Sequence, residues 1–102
     1  MPDTSISIII PFFRAIAHID TLSDSINSQT LQPSEVIILN NDPDINILPS
    51  DFNLSVPTFV INTPPKNVVL ARLIGLHSSS SKYIAFLDAD DQWYPEKLET
   101  QI

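Results

Sequence analysis

Tyr83-Ile84-Ala85-Phe86-Leu87-Asp88-Ala89-Asp90-Asp91 is an apolar run that passes without a spacer into a group of carboxylates. Tyr83 to Leu87 carries β-branched, aromatic and aliphatic side chains and no charge, the pattern of a strand buried on both faces of a sheet. Strands of that kind belong to sheets covered by helices, so the stretch selects an α/β fold. Asp88, Asp90 and Asp91 then crowd the strand's carboxyl end, where like charges within a few ångströms disfavour one another's ionisation. A cation relieves such a group, and hard oxygen ligands suit a divalent one. Open α/β sheets bind their ligands just outside the carboxyl ends of strands, which is where these acids fall.

The segments on either side carry the same alternation of strand and helix. Upstream, Val68 to Ser79 reads as a helix with Val69, Leu73 and Leu76 on one side and Arg72 between apolar stripes. Asn67 is a good N-cap for it, because Pro64-Pro65 forbids helix before that point. Thr58 to Ile61 is a short strand, and the Pro-, Asn- and Asp-rich stretch 44–57 reads as a loop with room for one helical turn. Glu35 to Leu39 is a strand ended by the turn-forming Asn40-Asn41-Asp42-Pro43. Ile6 to Ile10 is a β-branched strand halted by Pro11, which cannot donate to a ladder. Phe12-Phe13-Arg14 follows as a loop. Ile16, Ile19, Leu22 and Ile26 then keep a helical period that frays near Gln29. Downstream, Pro95-Glu96-Lys97-Leu98 opens a last helix with proline at its first position, and Leu98 and Ile102 lie four apart on one face. The order β-α-β-loop-β-α-β-α requires a mostly parallel sheet of about four strands with helices on both faces and right-handed crossovers. Residues 1–102 therefore read as a single Rossmann-like half-domain.

Composition narrows the partners. Twelve acidic against five basic residues give a net charge of −7, which argues against nucleic acid and against electrostatic docking on an anionic membrane. A phosphate-bearing ligand would need a metal ion as intermediary. The absence of cysteine excludes disulfides, thiolate zinc sites and a cysteine nucleophile. His18 and His77 fall in different predicted helices and are assigned no role. The start of the chain lacks the basic region of a signal peptide, and Ile6 to Phe13 is too short to span a membrane, so a cytoplasmic location is expected.

Several separated pieces, in order and at matching spacing, resemble the family 2 glycosyltransferases of GT-A fold. They are Ile6 to Ile10 with Pro11, Ser28-Gln29-Thr30, Glu35 to Leu39, Ala71-Arg72 with Gly75, and Tyr83 to Asp91 with Trp93, Pro95 and Leu98. The resemblance implies the N-terminal, nucleotide-sugar-binding half of such an enzyme, truncated at its C-terminus. In that family the Asp-X-Asp element and a divalent cation, Mn²⁺ or Mg²⁺, hold the donor's diphosphate. By this matching Asp90 is the direct metal ligand, Asp88 meets ribose or a metal-bound water, and Asp91 supports them from behind. Pro11 and Phe13 stand in the loop whose backbone and aromatic ring lie near the nucleobase and ribose, with Phe13 in place of the usual tyrosine. Asn41 stands where the family has an acid that accepts a hydrogen bond from a uracil ring nitrogen; an amide oxygen still accepts, without charge assistance. Arg72 matches an arginine that braces the acidic loop or the donor, and Lys66 is a weaker candidate for a phosphate.

The implied activity is metal-dependent transfer of a sugar from a nucleotide-diphospho-sugar to an acceptor hydroxyl, with inversion, in polysaccharide biosynthesis. The acceptor of the full-length protein would be a glycan or a lipid-linked glycan, met peripherally at the inner membrane face. An inverting transferase also needs a carboxylate base for the acceptor hydroxyl. In this family the base comes from the second half of the domain, so the chain alone is expected to bind donor without turning it over. The alternative is a truncated, non-catalytic module that self-associates or pairs with a partner, since a half-sheet leaves edges and apolar faces open. A phospho-acceptor receiver domain fits less well, because its acid pair follows the first strand, where this chain has Pro11-Phe12-Phe13. A sugar nucleotidyltransferase would need a glycine-rich loop there, and Gly75 is the single glycine.

Overall fold

The computed structural model describes residues 4–65 and 67–101, so the expectations for Lys66 and Ile102 lie outside the described residues. Its elements are β1 (Ile6–Phe12), a 3-10 turn (Ile16–His18), α1 (Ile19–Asn27), β2 (Glu35–Asn40), a second 3-10 turn (Pro49–Phe52), β3 (Thr58–Asn62), α2 (Val68–Ser78), β4 (Tyr83–Phe86) and α3 (Lys97–Gln101). The four strands form one parallel sheet in the order β3-β2-β1-β4. The expected α/β architecture with helices on both faces is thus the one observed, including the single turn inside the 44–57 loop.

β1 is the central element, and every one of its residues is buried. Ile8, Ile10 and Phe12 face a large cluster with Leu22 and Ile26 of α1 and Leu98 of α3. Ile9 faces the other way, onto Ala71 of α2 together with Ile37 and Leu39 of β2. Burying each isoleucine stabilises the fold by roughly 1.5–3 kcal/mol relative to leaving it in water. On the α2 side the helix approaches so closely that a Cβ on Gly75 would lie 2.5 Å from Ile9 Cγ2 and 3.0 Å from Leu39 Cδ2. Glycine is required there by proximity.

Pro11 does not halt β1; the strand continues through it to Phe12, with Pro11 in register with Leu39. The reason lies in the alternation of a parallel ladder. Leu87 N–H donates to Ile9 O at 3.0 Å and Asn41 N–H donates to Phe12 O at 3.1 Å, so odd residues of β1 bond toward β4 and even ones toward β2. Pro11 therefore turns its missing donor to the β4 side, where β4 has already ended at Phe86. Nothing is lost from the ladder.

β4 is the second correction. It lies at the sheet's edge, and Tyr83 and Phe86 are 39% and 47% exposed rather than buried on both faces. An uncharged run shows what a strand could bury, whereas its place in the sheet decides what covers it. The same holds for α2. The stripe Val69, Leu73 and Leu76 faces solvent, and the helix packs instead through Ala71 and Gly75. Small residues win because they let the helix axis come close to the sheet.

Smaller differences lie at element ends. The first helix opens as the 3-10 turn before becoming α1, and α1 stops at Asn27. β2 and β3 each run one residue further than predicted, β4 stops one residue earlier, and α2 stops at Ser78. Asn67 caps α2 as expected, its side chain accepting from Leu70 N–H at 2.9 Å. The last helix starts at Lys97 instead of Pro95, after a turn closed by Lys97 N–H to Tyr94 O. Gln29 ties that segment to the end of α1. Buried, it donates Nε2–H to Tyr94 O at 2.8 Å and accepts Leu98 N–H at 3.1 Å.

Candidate functional site

The chain's connections leave β1 in both directions, to β2 through α1 and back past β1 to β4 through α2. Such a switch point opens a crevice at the carboxyl ends of the strands. In this protein the crevice is a cavity of about 230 Å³ lined by Pro11, Phe13, Arg14, Ala15, His18, Asn41, Val68, Asp88, Ala89 and Asp90. Every lining segment directly follows β1 or β2, opens α2, or follows β4.

The turn after β4 aims two carboxylates into it. Leu87 and Ala89 are buried in the core beneath, while Asp88 and Asp90 line the cavity and are exposed. Asp91 N–H closes the turn on Asp88 O at 3.0 Å, and Asp91 is exposed outside the lining. The carboxylates differ in their partners. Arg72 Nη2 of α2 sits 3.2 Å from Asp88 Oδ1, with the two side chains 41% and 55% exposed. Asp90 forms no side-chain hydrogen bond or ion pair among the described residues. Arg72 therefore braces the acidic turn from outside the lining. Exposed acids repel only weakly through water, so their crowding does not by itself demand a cation. The case for one rests on their convergence in the cavity.

Across from them, the turn after β2 separates two asparagines that look equivalent in the sequence. Asn40 is structural: Nδ2–H donates to Ile45 O at 3.1 Å and Asn62 Oδ1 at 3.2 Å, and Oδ1 accepts Asp42 N–H at 3.1 Å. Asn41 is 1% exposed and lines the cavity, and its Oδ1 has no hydrogen-bond partner among the described residues. Leaving a buried acceptor unmade costs roughly 1–3 kcal/mol, and this one belongs to a residue of the cavity wall.

Of the residues named from the sequence, Pro11, Phe13, Asn41, Asp88 and Asp90 are brought to one cavity, and Arg72 is brought to Asp88. Trp93 and Tyr94, the aromatic pair after the acidic turn, lie outside the lining. Trp93 packs against the α1 side of the core with its N–H donated to Ser25 Oγ at 2.8 Å, and Tyr94 is 85% exposed elsewhere. Arg14 and His18 line the cavity and were not singled out. A basic residue in the loop directly after β1 was the available signal for Arg14; His18 was masked by its place in a helical period.

Chemically, two carboxylates can supply part of a divalent cation's shell. Among the described residues no group of three or more His, Cys, Asp or Glu side chains converges to hold a metal.

A four-stranded parallel sheet with helices on both faces and a crevice at its switch point defines an α/β protein of the doubly wound class. The chain belongs to glycosyl transferase family 2, whose family model matches residues 7–102. It is 34% identical over its full length to UDP-Glc:alpha-D-GlcNAc-diphosphoundecaprenol beta-1,3-glucosyltransferase WfgD of Escherichia coli, covering 41% of that protein. It is 29% identical, again over its full length, to amylovoran biosynthesis glycosyltransferase AmsB of Erwinia amylovora, covering 36%. The crystal structure of TarS from S. aureus superposes with a TM-score of 0.76 at 20% identity, over 95% of this chain and 18% of that one, which shows the shared fold. The chain thus spans well under half the length of these relatives. Among the described residues no helix is long and apolar enough to cross a membrane.

Proposed function

We propose that this chain is the N-terminal, donor-binding part of a longer inverting glycosyltransferase that takes a nucleotide-diphospho-sugar with Mn²⁺ or Mg²⁺. One observation carries the reading: Asp88 and Asp90 share a single cavity with Pro11, Phe13 and the unpartnered Oδ1 of Asn41. The two ends of that cavity suit the two ends of a nucleoside diphosphate. Asn41 Oδ1 accepts a nucleobase ring N–H, and Phe13, 38% exposed, offers an aromatic face or edge for the base or ribose. Asp90, free of other partners, ligates the cation, while Arg72 holds Asp88 in place beside it. When bound, a divalent cation held by Asp90 and Asp88 would supply positive charge that offsets the charge developing on the departing nucleotide.

Among the described residues Asp88 and Asp90 are the acids lining the cavity, and both are given to the cation, so proton removal from the acceptor hydroxyl would fall to a carboxylate from the part of the family's domain that this chain does not cover. The chain by itself is therefore inactive as a transferase. In the longer protein the acceptor is a glycan or lipid-linked glycan, reached from the cytoplasm by an enzyme peripheral to the inner membrane face. Calorimetric titration of the chain with UDP, GDP and UDP-sugars, with and without Mn²⁺, tests the donor reading. Metal-dependent binding is expected; its absence both here and in a longer version of the protein would sink the proposal.

A second reading, a non-catalytic module that self-associates, is favoured by the open edge at β4 with its exposed Tyr83 and Phe86, and by exposed Leu73 and Leu76 on α2. Light scattering across concentration separates the two. A strictly monomeric mass at high concentration rules the second out.

A further inference from the structure

The cavity lining also holds two basic side chains, Arg14 and His18, in the connection that follows β1, and none of the roles above uses them. Arg14 adopts φ 53, in the left-handed region that a residue with a Cβ rarely occupies. Two contacts hold it there. Its backbone N–H donates to Asp42 Oδ2 at 3.3 Å, and its guanidinium carbon lies 5.1 Å from the centre of the Phe13 ring. Asp42 is itself buried and fixed, accepting Asp44 N–H at 3.0 Å and donating its own N–H to Asn40 Oδ1. A buried carboxylate thus locks the β1 loop into a conformation that a side chain with a Cβ disfavours, and such strain persists where surrounding structure holds it.

The strain presents a guanidinium at the cavity. Arg14 forms no ion pair among the described residues, and His18, at the end of the 3-10 turn, lines the same cavity and is exposed. Asp88 and Asp90 line it too, with Arg72 already engaged by Asp88. In a chain of net charge −7, an anionic ligand needs direct cations as well as a bridging metal. We propose that Arg14 and His18 form a direct anion-binding wall that contacts the phosphates of the ligand in the cavity they share with Asp88 and Asp90. Arginine's planar fork suits two phosphate oxygens, and a histidine ring donates at least one N–H in either protonation state. This deepens the donor reading, which it needs only for the identity of the phosphate-bearing molecule.

The test uses the whole chain, with inorganic pyrophosphate, UDP and uridine as probes, each with and without Mg²⁺. Arg14→Asn removes the guanidinium while keeping the backbone N–H and a residue that tolerates positive φ. It is expected to weaken pyrophosphate and UDP by about tenfold and leave uridine unchanged, as loss of one charge-assisted contact requires. Arg14→Lys should recover part of the loss, and His18→Ala should cost about threefold. An unchanged thermal midpoint in Arg14→Asn verifies that the loop survives. The proposal is overturned if pyrophosphate binds Arg14→Asn as well as wild type, if uridine and UDP weaken equally, or if wild type binds no pyrophosphate. Arg14-dependent pyrophosphate binding to which the nucleoside of UDP adds nothing would instead support the wall while refuting the donor reading.

Discussion

The two ends of the sheet treat their polar groups in opposite ways. At the amino ends, Glu35 Oε2 accepts from Ser7 Oγ at 2.5 Å, Ser80 N–H at 3.0 Å and Ser80 Oγ at 3.3 Å. Ser79 Oγ donates in turn to Ser7 Oγ at 2.7 Å. That network stitches the starts of β1 and β2 to the segment between α2 and β4, and it concentrates three donors on one oxygen of its carboxylate. At the carboxyl ends, Asp90 has no side-chain partner among the described residues and Asn41 Oδ1 is an orphan in a cavity wall. Both ends carry acids and serines or asparagines, so composition does not distinguish them. Satisfaction does: polar groups that complete one another hold the fold, and polar groups left incomplete are available to a ligand.

Breaking the ligand end should produce the largest effect. Asp90→Asn is expected to weaken Mn²⁺-dependent UDP binding by about 100-fold, roughly 2.7 kcal/mol, with an unchanged thermal midpoint. Calorimetry together with a melting curve checks both halves, and a lowered midpoint would show that Asp90 belongs to the structural class of acid.

The amino end should respond in the converse way. Glu35→Ala strands two serine hydroxyls and an N–H and should cost about 2 kcal/mol of unfolding free energy, read by urea titration, with UDP affinity unaltered. Its pH signature follows from the same contacts. Burial raises the Glu35 pKa, but the hydrogen bonds from Ser7 and Ser80 outweigh burial and hold it below the ordinary 4.5. A folded value below the unfolded one means that the stabilisation is fully present above about pH 4.5 and disappears as pH falls through the folded value. Wild type should lose that increment of stability in acid, and Glu35→Ala should lack it at every pH.

Gly75→Ala tests the middle of the molecule. Overpacking against Ile9 costs about 1–3 kcal/mol, and the better helix propensity of alanine returns about 1, so a net loss near 1 kcal/mol is expected. Urea melts that show a gain in stability would mean that Ile9 can move aside. The smallest effect is expected at the orphan itself. Asn41→Asp gives a charge-assisted acceptor and should tighten UDP about fivefold, at some cost to the unliganded fold from burying an unpaired carboxylate. Equal or weaker binding would show that the side-chain amide is the better partner.

Much of this was legible in the residues. β1 and β2 are unbroken β-branched runs, and the order of strands and helices left few topologies to choose from. The acidic turn could be named because it follows a strand at its carboxyl end, while Phe13 and Asn41 were named through the resemblance to the family's loops. What escaped was set by partners distant in the chain. The run Ser78 to Ser81 reads as low complexity, yet Ser79 and Ser80 complete the Glu35 network. Arg14 reads as an ordinary loop residue until Asp42 and Phe13 lock it.

By itself, then, the sequence determined the α/β class, the parallel sheet, the helix cap at Asn67 and the residues that meet at the crevice, because local propensity and strand direction are written into neighbouring positions. Only the tertiary structure decided that β4 is an edge, that Pro11 lies within β1, that Asn40 and Asn41 have opposite roles, and that Arg72 is tied to Asp88. Each of those depends on which groups from remote segments arrive to cover, pair or leave bare a given side chain. Burial and hydrogen-bond satisfaction are properties of the assembled sheet.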